Sequence, residues 1–254
     1  MHDSLDLVED PRVRSFGIRA LEILLDHLQT REPFPLLFNG DMLSVISVRN
    51  GEVRLGATSY FSFLLTNYLS SDKLWQEAVD MWLPGHVENR STPLDSSIRA
   101  NPLSVHVNLV TIVDGSYRVL ISRRSEINLN SSGTYSHTAG GSLDRDDLVS
   151  FGNRSIHRAG SRELKEELGI EMPISKIVVA DWFISCKVLD PIAVAVVLIP
   201  DASMLRWQRS SETISADWRR LEDVVEHASR DPLSWHYDMP DDIAVTVDAL
   251  KIFA

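Results

Sequence analysis

The chain has 254 residues, 44% hydrophobic and 24% charged, with a formal net charge of -11. That is room for one large domain or two small ones. The acidic balance excludes a nucleic acid polymer as partner, because the paired arginines Arg123-Arg124 and Arg219-Arg220 are too short to form the basic patch such binding needs.

No apolar run approaches the roughly 20 residues of a membrane span. The acidic start MHDSLDLVEDP has no signal-peptide core, and Cys186 is the single cysteine, so no intrachain disulfide can form. A cytoplasmic protein with no membrane partner is expected. Cys186 lies in an apolar-alternating run and is expected in the core.

In chain order, Arg14–Gln29 carries Ile18, Leu21, Leu24, Leu25 and Leu28 at helical spacing. Two alternating runs then flank Asn50-Gly51, a hairpin signal because both turn positions tolerate positive φ. SYFSFLLTNYL and DKLWQEAVDMWL read as helices, with Tyr60, Phe61, Phe63, Trp75 and Trp82 as their core. The polar stretch Pro84–Pro102 holds three prolines and reads as a linker. Residues 1–102 are therefore expected to form an N-terminal α+β domain, and 103–254 a second domain. In the second, LSVHVNLVTIV and YRVLISR flank a turn at Asp114-Gly115. GTYSHTAGG reads as one short strand, and ISKIVVADWFIS and IAVAVVLI as two more. Helices are expected at 155–168, near 219–229 and at 240–252. Strands and helices do not alternate strictly, which favours an α+β sandwich over a doubly wound sheet.

The helix SIHRAGSRELKEELG carries the chemistry. Ser155 is expected to cap it, and Gly169 to end it in the left-handed conformation. At about 100° per residue, Glu166 lies about 60° to one side of Glu163 and Glu167 about 40° to the other. Three carboxylates therefore share one arc, while Leu164 and Leu168 form a separate apolar stripe. On composition alone the arc reads either as a solvated face or as the oxygen ligand set of a hard divalent cation.

RELKEELGI matches R-E-U-x-E-E-x-G-U, where U is a bulky aliphatic residue. The chain here resembles the Nudix superfamily at every fixed position of this half of its signature. The other half is G-x5-E. Here Gly140-Gly141 is followed by Asp147 in place of Glu, and fourteen residues then separate Asp147 from Arg162, seven more than the family pattern. Lengthening a surface loop costs little. The resemblance implies the Nudix α/β/α sandwich with a mixed sheet over about the C-terminal three fifths of the chain. It also implies Mg²⁺ or Mn²⁺ as cofactor and hydrolysis of a small nucleotide or nucleoside diphosphate linked to another moiety. Carried over by position, Glu163, Glu166 and Glu167 would hold metal, Gly141 would offer its carbonyl, and Asp147 would be an additional ligand. Arg162 would orient Glu163.

Further candidates follow from the same resemblance. One of Arg123 and Arg124 would face substrate, since strand neighbours point to opposite faces. Glu212, upstream of Asp217-Trp218, would be either the base or a plain loop carboxylate, and His137 would either line the pocket or be a satisfied strand histidine. Trp182, Phe183, Trp207 and Trp235 are either base-stacking or core residues. His106 reads as structural. Two alternatives stand beside the hydrolase: a non-catalytic nucleotide sensor on the same fold, and a prenyl-diphosphate isomerase. A homodimer is the default expectation for an oligomer.

Overall fold

A computed structural model describes residues 40–49, 52–67, 91–94, 97, 99–126, 128, 131–149 and 154–253. The expected helices at Arg14–Gln29 and DKLWQEAVDMWL lie outside the described residues, as do Asn50, Gly51, Trp75 and Trp82. The chain divides into two compact units, Met1–Leu103 with Ile184–Pro191, and Ser104–Phe183 with Ile192–Ala254.

In the first unit, β1 (Asp41–Arg49) pairs antiparallel with β2 (Glu52–Ser59), with Arg49 opposite Glu52. That register leaves two residues between the paired strands. Helix α1 (Tyr60–Thr66) follows, capped by the Ser59 hydroxyl, which accepts the Ser62 N–H at 3.2 Å. Phe63 is buried, as expected, and so is Leu64, but Tyr60 is half-buried and Phe61 exposed. Phe61 stands about 160° round the helix from buried Phe63. Cys186 is exposed, which corrects its expected place in the core. It sits in the turn after β7, where the alternation has already ended.

The second unit is built on a mixed sheet. Its strands are β3 (Ser104–Val113), β4 (Ser116–Arg124), β5 (Tyr135–Ser136), β6 (Ala139–Ser142), β7 (Val178–Ile184), β8 (Pro191–Ile199) and β9 (Thr213–Arg220). The order is β5-β4-β3-β8-β7, with β6 on β3 and β9 on β4. β3 and β8 run parallel, and the pairings of β3 with β4 and β6 and of β4 with β9 are antiparallel. Between and after the strands come α2 (Arg145–Val149), α3 (Ser155–Leu168), α4 (Leu221–Arg230) and α5 (Met239–Phe253).

Alternation along β3 decides which helix meets which face. Val107 points at α3, where Gly160 permits close approach: a Cβ there would stand 3.1 Å from a Val107 methyl. His106, Asn108 and Val110 point the other way, toward α5. On that face Val110, Val119, Ile121 and Val196 pack with Leu221, Val224, Met239 and Ile243 of α4 and α5. The sheet is thus covered by helices on both faces, an α/β/α sandwich.

Several expectations are refined. GTYSHTAGG forms two strands broken at His137-Thr138, where Thr138 turns its hydroxyl to the Leu120 carbonyl. ISKIVVADWFIS begins with a 3-10 turn at Ile174–Lys176, before β7. Residues 219 and 220 end β9, a strand not anticipated, so the following helix begins at Leu221. α3 starts at an Arg154 cap with no side-chain hydrogen bond, and Ser155 lies within the helix. Gly169 ends it at φ 68°, with its N–H on Lys165 O and the Ile170 N–H on Leu164 O.

Candidate active site

The glutamate arc lies on α3, which packs against β6 and β3. Leu164 and Leu168 are fully buried and hold the helix to the sheet. That anchoring carries Glu163 and Glu167 inward, while Glu166 stays exposed.

Glu163 faces Gly141. A Cβ at Gly141 would overlap the Glu163 carboxylate. Gly140 is equally constrained, since a Cβ there would stand 2.8 Å from the Val105 carbonyl oxygen. Gly141 thus makes room for the Glu163 carboxylate, and Gly140 for the Val105 backbone and the His137 ring. Gly141→Ala is expected to displace the Glu163 carboxylate and lower divalent-cation affinity by at least about tenfold. The fold should survive, because the obstructed atoms are a side-chain end. Isothermal titration with Mn²⁺ measures this, and unchanged affinity would refute it.

Glu167 accepts the Gly140 N–H at 3.1 Å and the Thr213 hydroxyl at 3.2 Å. Burial pushes its carboxyl up, Arg124 opposes this, and Glu212 adds to it, for a value of about 7. Glu163 is pushed up to about 8, first by burial, against the pull of Arg162 and with the push of Glu167 and Glu166. Both acids are thus held in a place that disfavours their anions.

Arg162 gathers the carboxylates. Its Nη1 donates to Glu163 Oε1 at 2.7 Å and Glu166 Oε2 at 3.0 Å; its Nη2 donates to Ser142 O at 2.9 Å and Asp147 Oδ2 at 3.0 Å. Burial pulls the guanidinium down, but Glu163, Asp147 and Glu166 outweigh it and hold it above its ordinary value. Asp147 is fully buried and turns to arginines, with its other oxygen 3.7 Å from Arg158 Nε.

Of the arginine pair, Arg124 acts on Glu167 and His137. Arg123 is exposed and donates from Nε to Gly133 O at 3.2 Å, beside the Tyr135 ring. The Glu212 loop is tied to the end of β4: its carbonyl accepts the Ser125 N–H at 2.7 Å and the Asn128 side chain at 2.9 Å. This brings the Glu212 carboxylate within electrostatic reach of Glu167. Thr213, which sequence reasoning missed, belongs to the same group; no motif marks it. Trp235 is buried, Trp182 exposed, and Phe183 and Trp207 are half-buried. His137 is buried behind Gly140: its Nε2 would stand 2.5 Å from a Cβ there. Among the described residues, the group bringing three metal-capable atoms within 4.8 Å of one another is His106, His137 and Asp242. The three arc glutamates do not bring such a set of atoms within that distance.

No family model matches the chain, and no curated protein matches it. Solved structures similar to it include the NUDIX domain of Shewanella oneidensis NrtR complexed with ADP ribose, at 19% identity and TM-score 0.46, covering 60% of this chain and 90% of that one. DR0079 from Deinococcus radiodurans is 14% identical at TM-score 0.48, covering 80% and 97%. A NUDIX hydrolase from Alicyclobacillus acidocaldarius is 12% identical at TM-score 0.48, covering 58% and 91%. The chain itself presents a Nudix-like box on a strand–loop–helix segment of a mixed α/β/α sandwich.

Proposed function

We propose that the second unit is a Nudix-type pyrophosphohydrolase, dependent on Mg²⁺ or Mn²⁺, that cleaves a small nucleotide or a nucleoside diphosphate linked to another moiety. The observation that carries this is the crowding of Glu163, Glu166 and Glu167 on one arc against Gly140-Gly141, with two of the three buried. The donor set is all oxygen, which fits a hard divalent cation and offsets the buried negative charge. Glu163, Glu166, Glu167 and the Gly141 carbonyl would hold it. When bound, the ion draws charge off the diphosphate and acidifies a coordinated water.

The chain's own groups do the rest. Arg162 fixes Glu163 and Glu166 in orientation, and Asp147 holds Arg162. Arg124 takes a substrate phosphate oxygen as a charge-assisted donor. Glu212 accepts the proton of the attacking water, as a loop carboxylate with access to solvent. Positioning and electrostatics supply most of the acceleration in substitution at phosphorus. Cys186, exposed and single, fits a reducing compartment, and we place the protein in the cytoplasm.

Incubation with Mg²⁺ and a panel of nucleoside triphosphates, nucleoside diphosphate sugars and dinucleoside polyphosphates tests this, with phosphorus NMR of the products. Turnover is expected in the wild type and not in Glu166→Gln/Glu167→Gln. Absence of metal-dependent turnover across the panel overturns the reading, and nucleotide binding without turnover would make the unit a sensor.

The raised acids also predict a pH dependence. Carboxyls at about 8 and about 7 hold protons in the folded state that an ordinary carboxyl at 4.5 has lost in the unfolded chain. Metal-free stability from these groups is therefore highest below 4.5 and falls as pH rises through 7 to 8. A bound divalent cation removes that loss. Mg²⁺ or Mn²⁺ should raise Tm by about 5 °C more near pH 8.5 than near pH 5.5. Scanning fluorimetry checks it; an equal rise at both pH values would contradict it.

A further inference from the structure

We propose that His106, His137 and Asp242 form a second metal site, of the zinc class, that ties α5 to the sheet. The proposal does not rest on the hydrolase reading.

The three residues come from distant parts of the chain: the start of β3, the break between β5 and β6, and the first turn of α5. All three are buried, Asp242 at 0% exposure. Asp242 Oδ2 lies 2.9 Å from His106 Nδ1 and 3.2 Å from His137 Nδ1, and the two rings stack at 3.7 Å. Bonds of about 2.0–2.1 Å in a tetrahedral site place ligand atoms about 3.3 Å apart. The two measured separations are within a few tenths of an ångström of that edge, so an ion can sit on this face of three ligands with small side-chain shifts.

The charges point the same way. Burial pushes the Asp242 carboxyl up, but His106 and His137 outweigh it and hold it below its ordinary range, as an anion. Burial and the neighbouring His106 pull His137 down to about 4, so its ring is neutral and keeps a lone pair for a metal. Beside a neutral His137, His106 alone offsets the buried anion, and a divalent ion would supply a stronger counter-charge.

The carboxylate is also pre-oriented. Asn108 Nδ2 donates to Asp242 Oδ1 at 3.3 Å and to Thr246 Oγ1 at 2.9 Å, and Thr246 Oγ1 donates to the Asp242 carbonyl at 2.9 Å. Such outer partners hold metal ligands in place. His236 stands edge-on to both rings, 5.9 and 5.8 Å from their centres, and closes another side. Two imidazoles and one carboxylate suit zinc and its neighbours, whereas the oxygen-only arc suits Mg²⁺.

That difference in softness makes the test selective. Full-length protein is loaded with Zn²⁺ or Co²⁺ in a large excess of Mg²⁺, desalted, and assayed by elemental analysis, visible absorption and X-ray absorption. The wild type and Glu166→Gln/Glu167→Gln should each retain about one zinc, with imidazole scattering in its shell and a Tm rise of about 5 °C. Asp242→Asn and His106→Gln/His137→Gln should retain at least about tenfold less. A folded wild type that holds no zinc or cobalt against Mg²⁺ would overturn the site, as would an all-oxygen shell, or retention unchanged in both variants. The wild-type shell decides the matter even where a variant fails to fold.

Discussion

Glu167→Gln is expected to lower the proposed metal-dependent hydrolysis by at least about 10–100-fold, the cost of losing even an outer partner of a metal ligand. Its fold should persist, because an amide is nearly isosteric and its oxygen can still accept the Gly140 N–H. Stability should move the other way from activity. The wild-type carboxyl is raised to about 7 by burial, so above neutral pH the folded state carries a buried anion that glutamine does not. The variant should therefore match or exceed the wild type in urea at about pH 8, when no metal is present. Initial rates beside urea midpoints test both halves. Full activity would remove Glu167 from the site. Activity and stability falling together would make its role structural.

Arg162→Ala is expected to cost about 3–5 kcal/mol of stability, the range for stranding a buried charge. Arg162 is the partner of fully buried Asp147 at 3.0 Å, and without it that carboxylate keeps the Asp144 N–H, at 3.1 Å, and Arg158, at 3.7 Å. The same guanidinium bridges Glu163 and Glu166, so its loss also removes the pull that favours the Glu163 anion. Arg162→Lys should fall between, since one ammonium cannot reproduce a fork that meets four acceptors. Adding Asp147→Asn to Arg162→Ala should recover a large part of the loss, because the stranded charge is then gone. Urea unfolding of the four proteins completes the cycle. A single-variant cost below about 1 kcal/mol would show that Asp147 does not depend on Arg162.

The seven-residue lengthening between Asp147 and Arg162 leaves this contact in place. Asp147 is held at the helix α2 by reciprocal bonds with Asp144, at 2.9 and 3.1 Å. From there its shorter side chain still reaches the guanidinium. The departure from the Nudix-like pattern thus falls in the connection and not in the ion pair.

Features set by neighbours in the chain were legible from sequence alone. The spacing of Leu164 and Leu168 and the glycine at 169 define α3, and the same periodicity puts Glu163, Glu166 and Glu167 on one arc. Asn50-Gly51 was enough to pair β1 with β2. Each depends on backbone geometry within a few residues, which periodicity encodes directly.

Tertiary structure decided what depends on distant partners. Packing of α3 buries Glu163 and Glu167 and leaves Glu166 in solvent, though all three are glutamates in one run. The direction of β4 sends Arg124 toward Glu167 and Arg123 outward. β9 pairs with β4 along its length, and its alternating Ile214, Ala216 and Trp218 are the signal that could have found it. Asp242 meets His106 and His137 across more than a hundred residues, and no spacing rule links them. Local patterns state which face a side chain takes. Only the folded chain supplies what stands opposite it, and at this site that opposite group sets each charge.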